Sequence, residues 1–189
     1  MGYFYNQAIC SGCRTCQIAC KDKNELPIGV LFRNVTSYEV GRYPKASIYH
    51  LSQTCNHCVE PSCVKACPSG AMYKDEDDGT IQHDDRKCIA CQYCVSACPY
   101  GNPKFIPELN VVHKCDACKA LRDNGEQPAC VSSCIMRALE FGPYDDLVAA
   151  HPEAVGDIVA MPDSAQTSPC TLIQPKAAAL AEDVRQIVL

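Results

Sequence analysis

The sequence predicts an α+β fold: two nested units built of short strands, short helices and many loops. Three observations predict it. Sixteen of the 17 cysteines in the 189 residues fall into four tight quartets. Quartets are followed by a short turn and a strand-like stretch, so the chain carries an internal repeat. No run of about 18 apolar residues exists, so nothing reads as a bilayer span.

The most regular quartet is Cys88-Ile-Ala-Cys91-Gln-Tyr-Cys94-Val-Ser-Ala-Cys98-Pro99. It is the C-x2-C-x2-C-x3-C-P run of bacterial ferredoxins, where three thiolates of one loop hold one [4Fe–4S] cube and the fourth crosses to a second. A lone C-x2-C would be weak evidence, since zinc sites use it too. Disulfide scaffolds reach similar cysteine densities, but they spread their cysteines to close long loops, and here the count is odd. Iron–sulfur clusters are the reading that remains, and the nested units are expected to be bacterial-ferredoxin-like, with two [4Fe–4S] clusters each.

Along the chain, residues 3–9 read as a short strand leading into Cys10-x2-Cys13-x2-Cys16-x3-Cys20. Lys21 follows, where the ferredoxin run has proline. Residues 21–54 are an insertion. Its stretches Leu31 to Val40 and Ala46 to Leu51 are rich in Val, Ile, Tyr and Thr, and they flank Gly41-Arg42-Tyr43-Pro44 as a hairpin. The second quartet, Cys55-x2-Cys58-x4-Cys63-x3-Cys67-Pro68, is widened by a turn holding Glu60-Pro61. Ser69 to Tyr73 reads as turn and strand, Asp75 to Gly79 as an acidic turn, and Thr80 to His83 as the return strand. The fourth quartet is stretched to Cys115-x2-Cys118-x11-Cys130-x3-Cys134 around a polar loop with an Asn124-Gly125 turn. Ala138 to Gly142 repeats the strand. Beyond it, Asp145 and Asp146 start a short helix ending near His151-Pro152, Thr171 to Ile173 is a strand, and Ala177 to Ile187 is helical. The expected division is an outer unit of residues 1–54 and 99–142, an inner unit of 55–98, and a docking tail of 143–189.

Charge narrows the function. The formal net charge is −5, and each cube on four thiolates carries about −2 more. Such a molecule is a poor nucleic-acid ligand, since that affinity rests on Lys and Arg at phosphates. There is no Gly-rich nucleotide loop and no Ser/His/Asp set. All sixteen quartet sulfurs are consumed, so no iron is left open for catalysis. Four cubes serve best as an electron relay; the chain is not an enzyme on its own. Cys10 comes too early for a secretory leader before it, so a partner would have to carry the protein out of the cytoplasm.

Other residues are weaker candidates. His57 and His113 flank quartet cysteines and are expected to make hydrogen bonds or lie exposed rather than ligate. Tyr93 is expected to pack against a cube. Cys170 reads as a free thiol, not a ligand. Lys21, Lys23, Lys65, Arg86, Lys87, Lys114 and Lys119 stand beside quartets; they raise cluster potentials or form a solvated face.

With Cys55-Asn-His-Cys58, Cys67-Pro-Ser-Gly-Ala-Met72, Lys114-Cys-Asp-Ala-Cys118 and Leu139-Glu-Phe-Gly-Pro143 in view, the chain resembles the iron–sulfur subunits of the dimethyl sulfoxide reductase superfamily. The resemblance runs over about residues 3–175. It implies nested quartets: Cys10, Cys13, Cys16 and Cys134 for cluster 1; Cys20, Cys115, Cys118 and Cys130 for cluster 2; Cys55, Cys58, Cys63 and Cys98 for cluster 3; Cys67, Cys88, Cys91 and Cys94 for cluster 4. The sequence agrees in one respect, since only Cys67 and Cys98 precede proline and so look like mates. Some relatives carry tryptophan at the position of Cys91 and hold a three-iron cluster there; with Cys91 present, four [4Fe–4S] clusters are expected. The resemblance further implies a molybdopterin catalytic subunit at the first-quartet end and a membrane quinol-reactive subunit near cluster 4. The protein would then be peripheral on the membrane, on the extracytoplasmic face, in anaerobic respiration. A soluble molybdenum or tungsten enzyme, or a cytoplasmic formate- or hydrogenase-linked complex, is the competing setting.

Overall fold

The computed structural model describes residues 1–188; the last residue of the expected tail, Leu189, lies outside the described residues. In chain order the elements are β1 (Gly2–Asn6), α1 (Thr15–Lys23), β2 (Asn34–Val40), β3 (Ser47–Gln53), α2 (Ser62–Lys65), β4 (Met72–Lys74), β5 (Ile81–His83) and α3 (Tyr93–Ala97). They continue with β6 (Lys104–Ile106), β7 (Val111–His113), α4 (Lys119–Asp123), α5 (Ala129–Ser132), β8 (Leu139–Gly142), α6 (Tyr144–Ala150), β9 (Thr171–Gln174) and β10 (Val184–Ile187). The short strands, short helices and small sheets are those of the ferredoxin-like α+β class.

β1 is the centre of the main sheet. Tyr3, Phe4 and Tyr5 are all buried, so both faces are covered. Alternation sends Tyr3 and Tyr5 into a core with Tyr49, Leu51, Leu139, Phe141 and Ile173. Phe4 points the other way, onto Leu147 of α6 and Leu172. β1 pairs antiparallel with β8 and parallel with β9. The parallel partner follows only after residues 7–170, and the segment from α6 to Pro169 carries the chain from β8 on one side of β1 to β9 on the other. The strand ends at Asn6, whose side-chain oxygen accepts from Ala8 N–H at 3.1 Å and turns the chain toward the first quartet.

The inserted hairpin β2–β3 runs in register from Asn34 opposite Gln53 to Val40 opposite Ser47. Gly41 opens its turn at φ 75°, and a Cβ there would lie 2.9 Å from the Lys45 carbonyl oxygen. The other edge of β2 is taken by β10, antiparallel. This corrects the expected helix over Ala177 to Ile187. Only Ala177–Leu180 coils, as a single 3-10 turn with Ala179 fully buried, and Val184–Ile187 is a strand. Alanine propensity over so short a stretch yields to an open sheet edge that needs pairing. The 143–188 segment is thus laced onto the body through two sheets.

Two hairpins, β4–β5 and β6–β7, have three-residue strands and share a small core of Met72, Ile81 and Val112 with Cys63 and Cys94. Among the described residues no helix is long and apolar enough to cross a membrane.

Candidate cluster-binding site

The four quartet loops share one backbone signature. The residue before the second cysteine is left-handed in each: Gly12 at φ 69°, His57 at 45°, Ala90 at 56° and Ala117 at 55°. Three of these are not glycine, a conformation that costs about 1–2 kcal/mol each. Left-handed residues among right-handed ones turn successive N–H groups into a concavity that attracts anions. Several amides reach cysteine sulfur: Met72 N–H to Cys67 Sγ at 3.4 Å, Ala117 N–H to Cys115 Sγ at 3.3 Å, and Ala138 N–H to Cys134 Sγ at 3.2 Å.

The fold brings cysteines of distant quartets together. Cys10, Cys13, Cys16 and Cys134 line one cavity. Cys20 faces Cys115, Cys130 and Cys118, and burial first, then their charges, push its thiol well up. Burial lifts Cys63 to about 11 against the pull of Lys114, with Cys98 and Cys58 adding to it. Burial takes Cys55 to about 12, again opposed by Lys114. Cys94 is pushed to about 11 by burial and then by Cys67, with Cys91 adding to it. Cys88 packs beside Cys67 and Cys94 in the same small core.

All seventeen cysteines are free thiols. Convergent thiols that burial keeps protonated are a poor arrangement for isolated thiolates. They suit a metal core, which deprotonates its thiols outright. An all-sulfur donor set points to soft metal, zinc or iron–sulfur. The N–H groups aimed at the sulfurs match cluster ligation, where such hydrogen bonds tune the group.

His57 makes hydrogen bonds rather than ligating. It is fully buried; its Nδ1 accepts from Ile81 N–H at 3.0 Å and its Nε2 lies 4.0 Å from Cys115 Sγ. With Nδ1 accepting, the proton sits on Nε2 and points to sulfur. Burial, then Lys114 and Arg122, hold it well below the usual histidine range, so it is neutral. His113 Nε2 and His83 Nδ1 each lie 2.9 Å from Asp85, one per carboxylate oxygen. The trio is a nitrogen–oxygen donor set within 4.8 Å, although hydrogen bonding among its members accounts for it. Tyr93, between Cys91 and Cys94, is 62% exposed.

The lysines separate. Lys114 is buried, its Nζ donating to the carbonyls of Ile81 and Cys115. Lys21 caps the carbonyls of Leu26 and Pro27. Lys65 and Arg86 sit on the surface in pairs with Glu60 and Asp84. Cys170 is buried, and burial pushes its thiol up. Its N–H donates to Asn56 carbonyl at 2.9 Å, and Val59 N–H donates to Ser168, so this segment clamps the second quartet.

One charged residue escaped the sequence. Arg33, just before β2, is 2% exposed and reaches among quartet sulfurs. Nothing local marks it, since it lies ten or more positions from any quartet cysteine.

Residues 46–144 match the model of a family described as a 4Fe-4S dicluster domain. One chain of the anaerobic dimethyl sulfoxide reductase of Escherichia coli K12 is 41% identical over 187 residues, covering 93% of this chain and 89% of that protein. The probable anaerobic dimethyl sulfoxide reductase chain YnfG of the same strain is 41% identical over 184 residues, with 93% and 89% covered. One subunit of the sulfite dehydrogenase of Allochromatium vinosum is 35% identical over 159 residues, covering 73% of this chain and 66% of that one.

Proposed function

The chain belongs to the iron–sulfur electron-transfer subunits of the dimethyl sulfoxide reductase type, binding multiple [4Fe–4S] clusters without being catalytic itself, and from that membership we propose that it relays electrons through four clusters between a membrane quinol-reactive subunit and a molybdopterin catalytic subunit. When bound, the clusters supply one-electron transfer. The chain's own residues do the rest: the sixteen quartet cysteines hold the clusters in the nested sets given above, backbone N–H groups of Met72, Ala117 and Ala138 bond cysteine sulfur, and the cores bury most of the thiols.

One observation carries the linear order. Of the sixteen quartet cysteines, Cys13 and Cys91 alone are exposed, and they belong to clusters 1 and 4 in the nested scheme. The buried cores between follow the same order. One holds Cys10, Cys16, Cys130 and Cys134; the next holds Cys20 and Cys115 together with Cys55; the third holds Cys63, Cys67, Cys88 and Cys94. The middle core thus joins a cysteine of cluster 3 to two of cluster 2. Exposed apolar side chains lie within two residues of cysteines of both end clusters: Ile9, Ile18 and Ile135 beside Cys10, Cys16 and Cys134, and Ile89 and Tyr93 beside Cys91. Such patches suit partner subunits at the two ends. The protein is then held at the membrane through its partner, on the extracytoplasmic side if it travels with the catalytic subunit.

The test is Cys91→Trp in the purified complex. One thiolate is lost, and cluster 4 is expected to drop an iron and rise in potential, since ligation and charge both change. Quinol-driven turnover should fall more than about tenfold, while a small artificial donor entering nearer the catalytic subunit should still drive turnover. Equal loss with both donors in an assembled complex would reverse the order.

A further inference from the structure

Arg33 holds the charge least accounted for in the molecule. It is 2% exposed. Its Nη1 donates to the Ser52 carbonyl at 3.2 Å and to Ser52 Oγ at 3.0 Å. Nε and Nη2 are buried with no hydrogen-bond partner. Among the described residues it forms no ion pair with a carboxylate. An unpaired guanidinium in an apolar core costs several kcal/mol, and a strut could be made of leucine or methionine. Something negative must face it.

The neighbours say what. Cζ lies 5.0 Å above the centre of the Tyr3 ring, and Tyr3 Oη sits 3.8 Å from Cys115 Sγ. Ser52 Oγ, which takes the Nη1 bond, is 3.4 Å from Cys16 Sγ. Burial would lower the guanidinium; against it stand the ionised forms of Cys130, then Cys16 and Cys115, which a bound metal core would hold as thiolates. The same arginine pulls Cys130 and Cys20 down against their burial. These sulfurs belong to the first and fourth quartets. The contrast with Lys114 is direct: that ammonium is spent on two carbonyls, while two of Arg33's nitrogens stay free.

We propose that Arg33 is the built-in counter-charge of the clusters held by the first and fourth quartets, and that it raises their reduction potentials. The inference rests on the reading of those quartets as cluster ligands. The step is one electron, supplied by dithionite through a mediator dye, taking a cluster core from 2+ to 1+. The cluster with its thiolates goes from about −2 to −3, and no proton moves. A fixed positive charge favours the more negative product, and Coulomb attraction falls with distance, so the clusters farther along the chain of cores feel it least.

The experiment is a redox titration of the complex followed by paramagnetic resonance, for wild type, Arg33→Gln and Arg33→Lys, with iron counted in each. Arg33→Gln keeps a donor and much of the volume but loses the charge. It should make at least one reduction step about tenfold less favourable, about 59 mV for one electron, with the remaining steps unmoved. Arg33→Lys should stay near wild type. If glutamine loses iron at these quartets while lysine keeps it, the charge is again what matters. The proposal falls if the glutamine variant keeps its iron and every potential, if all steps shift together, or if glutamine and lysine behave alike, including equal loss of iron. Wild-type iron far below about sixteen atoms, four per cluster, would instead sink the four-cluster reading itself.

Discussion

The halves built on the first and fourth quartets, and on the second and third, solve the same problem differently. The first has two three-stranded sheets, β8-β1-β9 and β10-β2-β3. Its core is aromatic and aliphatic: Tyr3, Tyr5, Tyr49, Leu51, Phe141 and Ile173. The second packs only the hairpins β4–β5 and β6–β7, although β6 and β7 fall within residues 99–142 of the expected outer unit, and cysteines make up much of its core. Two-stranded hairpins are marginal in water. The difference teaches that the second half leans on its clusters for its fold, whereas the first could keep its sheets without them. Each half also encloses a cation: Arg33 in the first, and Lys114 beside β5 and β7 in the second, where its ammonium is satisfied by two carbonyls.

The largest effect expected from this contrast follows removal of iron with a chelator. Amides of β4 to β7 should exchange at least about a hundredfold faster, because metal binding there is folding free energy. Amides of β1, β2, β3 and β8 should change far less. Hydrogen exchange read by mass spectrometry decides it, and uniform loss of protection would erase the distinction between the halves.

The seam between them gives a smaller effect. Asp78, in the β4–β5 turn, pairs with Arg122 of α4 at 2.6 Å, and Arg122 lies 5.4 Å above the Phe141 ring. Burial would raise Asp78, but hydrogen bonds from Thr80 and then Arg122 hold it at about 2. A folded pKa below the unfolded value of about 3.9 means stability present above that value and lost as pH falls through the folded one. Asp78→Asn should therefore cost about 2 kcal/mol at pH 7. The gap should stay flat from pH 8 to 5 and close only below about 4. Urea midpoints of the visible iron–sulfur absorbance check this, and a gap that shrinks between pH 7 and 5 would show that Asp78 titrates normally.

The smallest effect belongs to Cys170→Ser. Cys170 is held by its backbone, accepting from Tyr3 N–H at 2.9 Å and donating to Asn56. Iron content and the reduced-state spectrum should match wild type. Loss of one cluster's signal would make Cys170 a ligand.

Much of this was legible in the sequence. Strands β1, β4, β5 and β9 were legible, and the insertion's hairpin announced itself through its aromatic and β-branched runs around Gly41. The helix after Pro143 followed from Asp145 and Asp146. What failed was Ala177 to Ile187, where a local preference competes with a sheet edge formed by residues 34–40. The exposure of Tyr93 was not legible either, because which side of a loop faces solvent is not written in its spacing.

What the sequence determined by itself was the chemistry. Three thiols within seven residues, as in the first and third quartets, converge whatever the rest of the chain does, so spacing alone specifies a cluster loop, and the second and fourth quartets are stretched versions of it. Only the tertiary structure decided which loops meet, that Cys13 and Cys91 reach the surface, and that Arg33 lies buried against Ser52 and Tyr3, which touch the sulfurs of Cys16 and Cys115. The physical reason is range. Cysteine spacing acts through short covalent loops, while burial of a charge depends on packing between residues about a hundred positions apart, which no local pattern records.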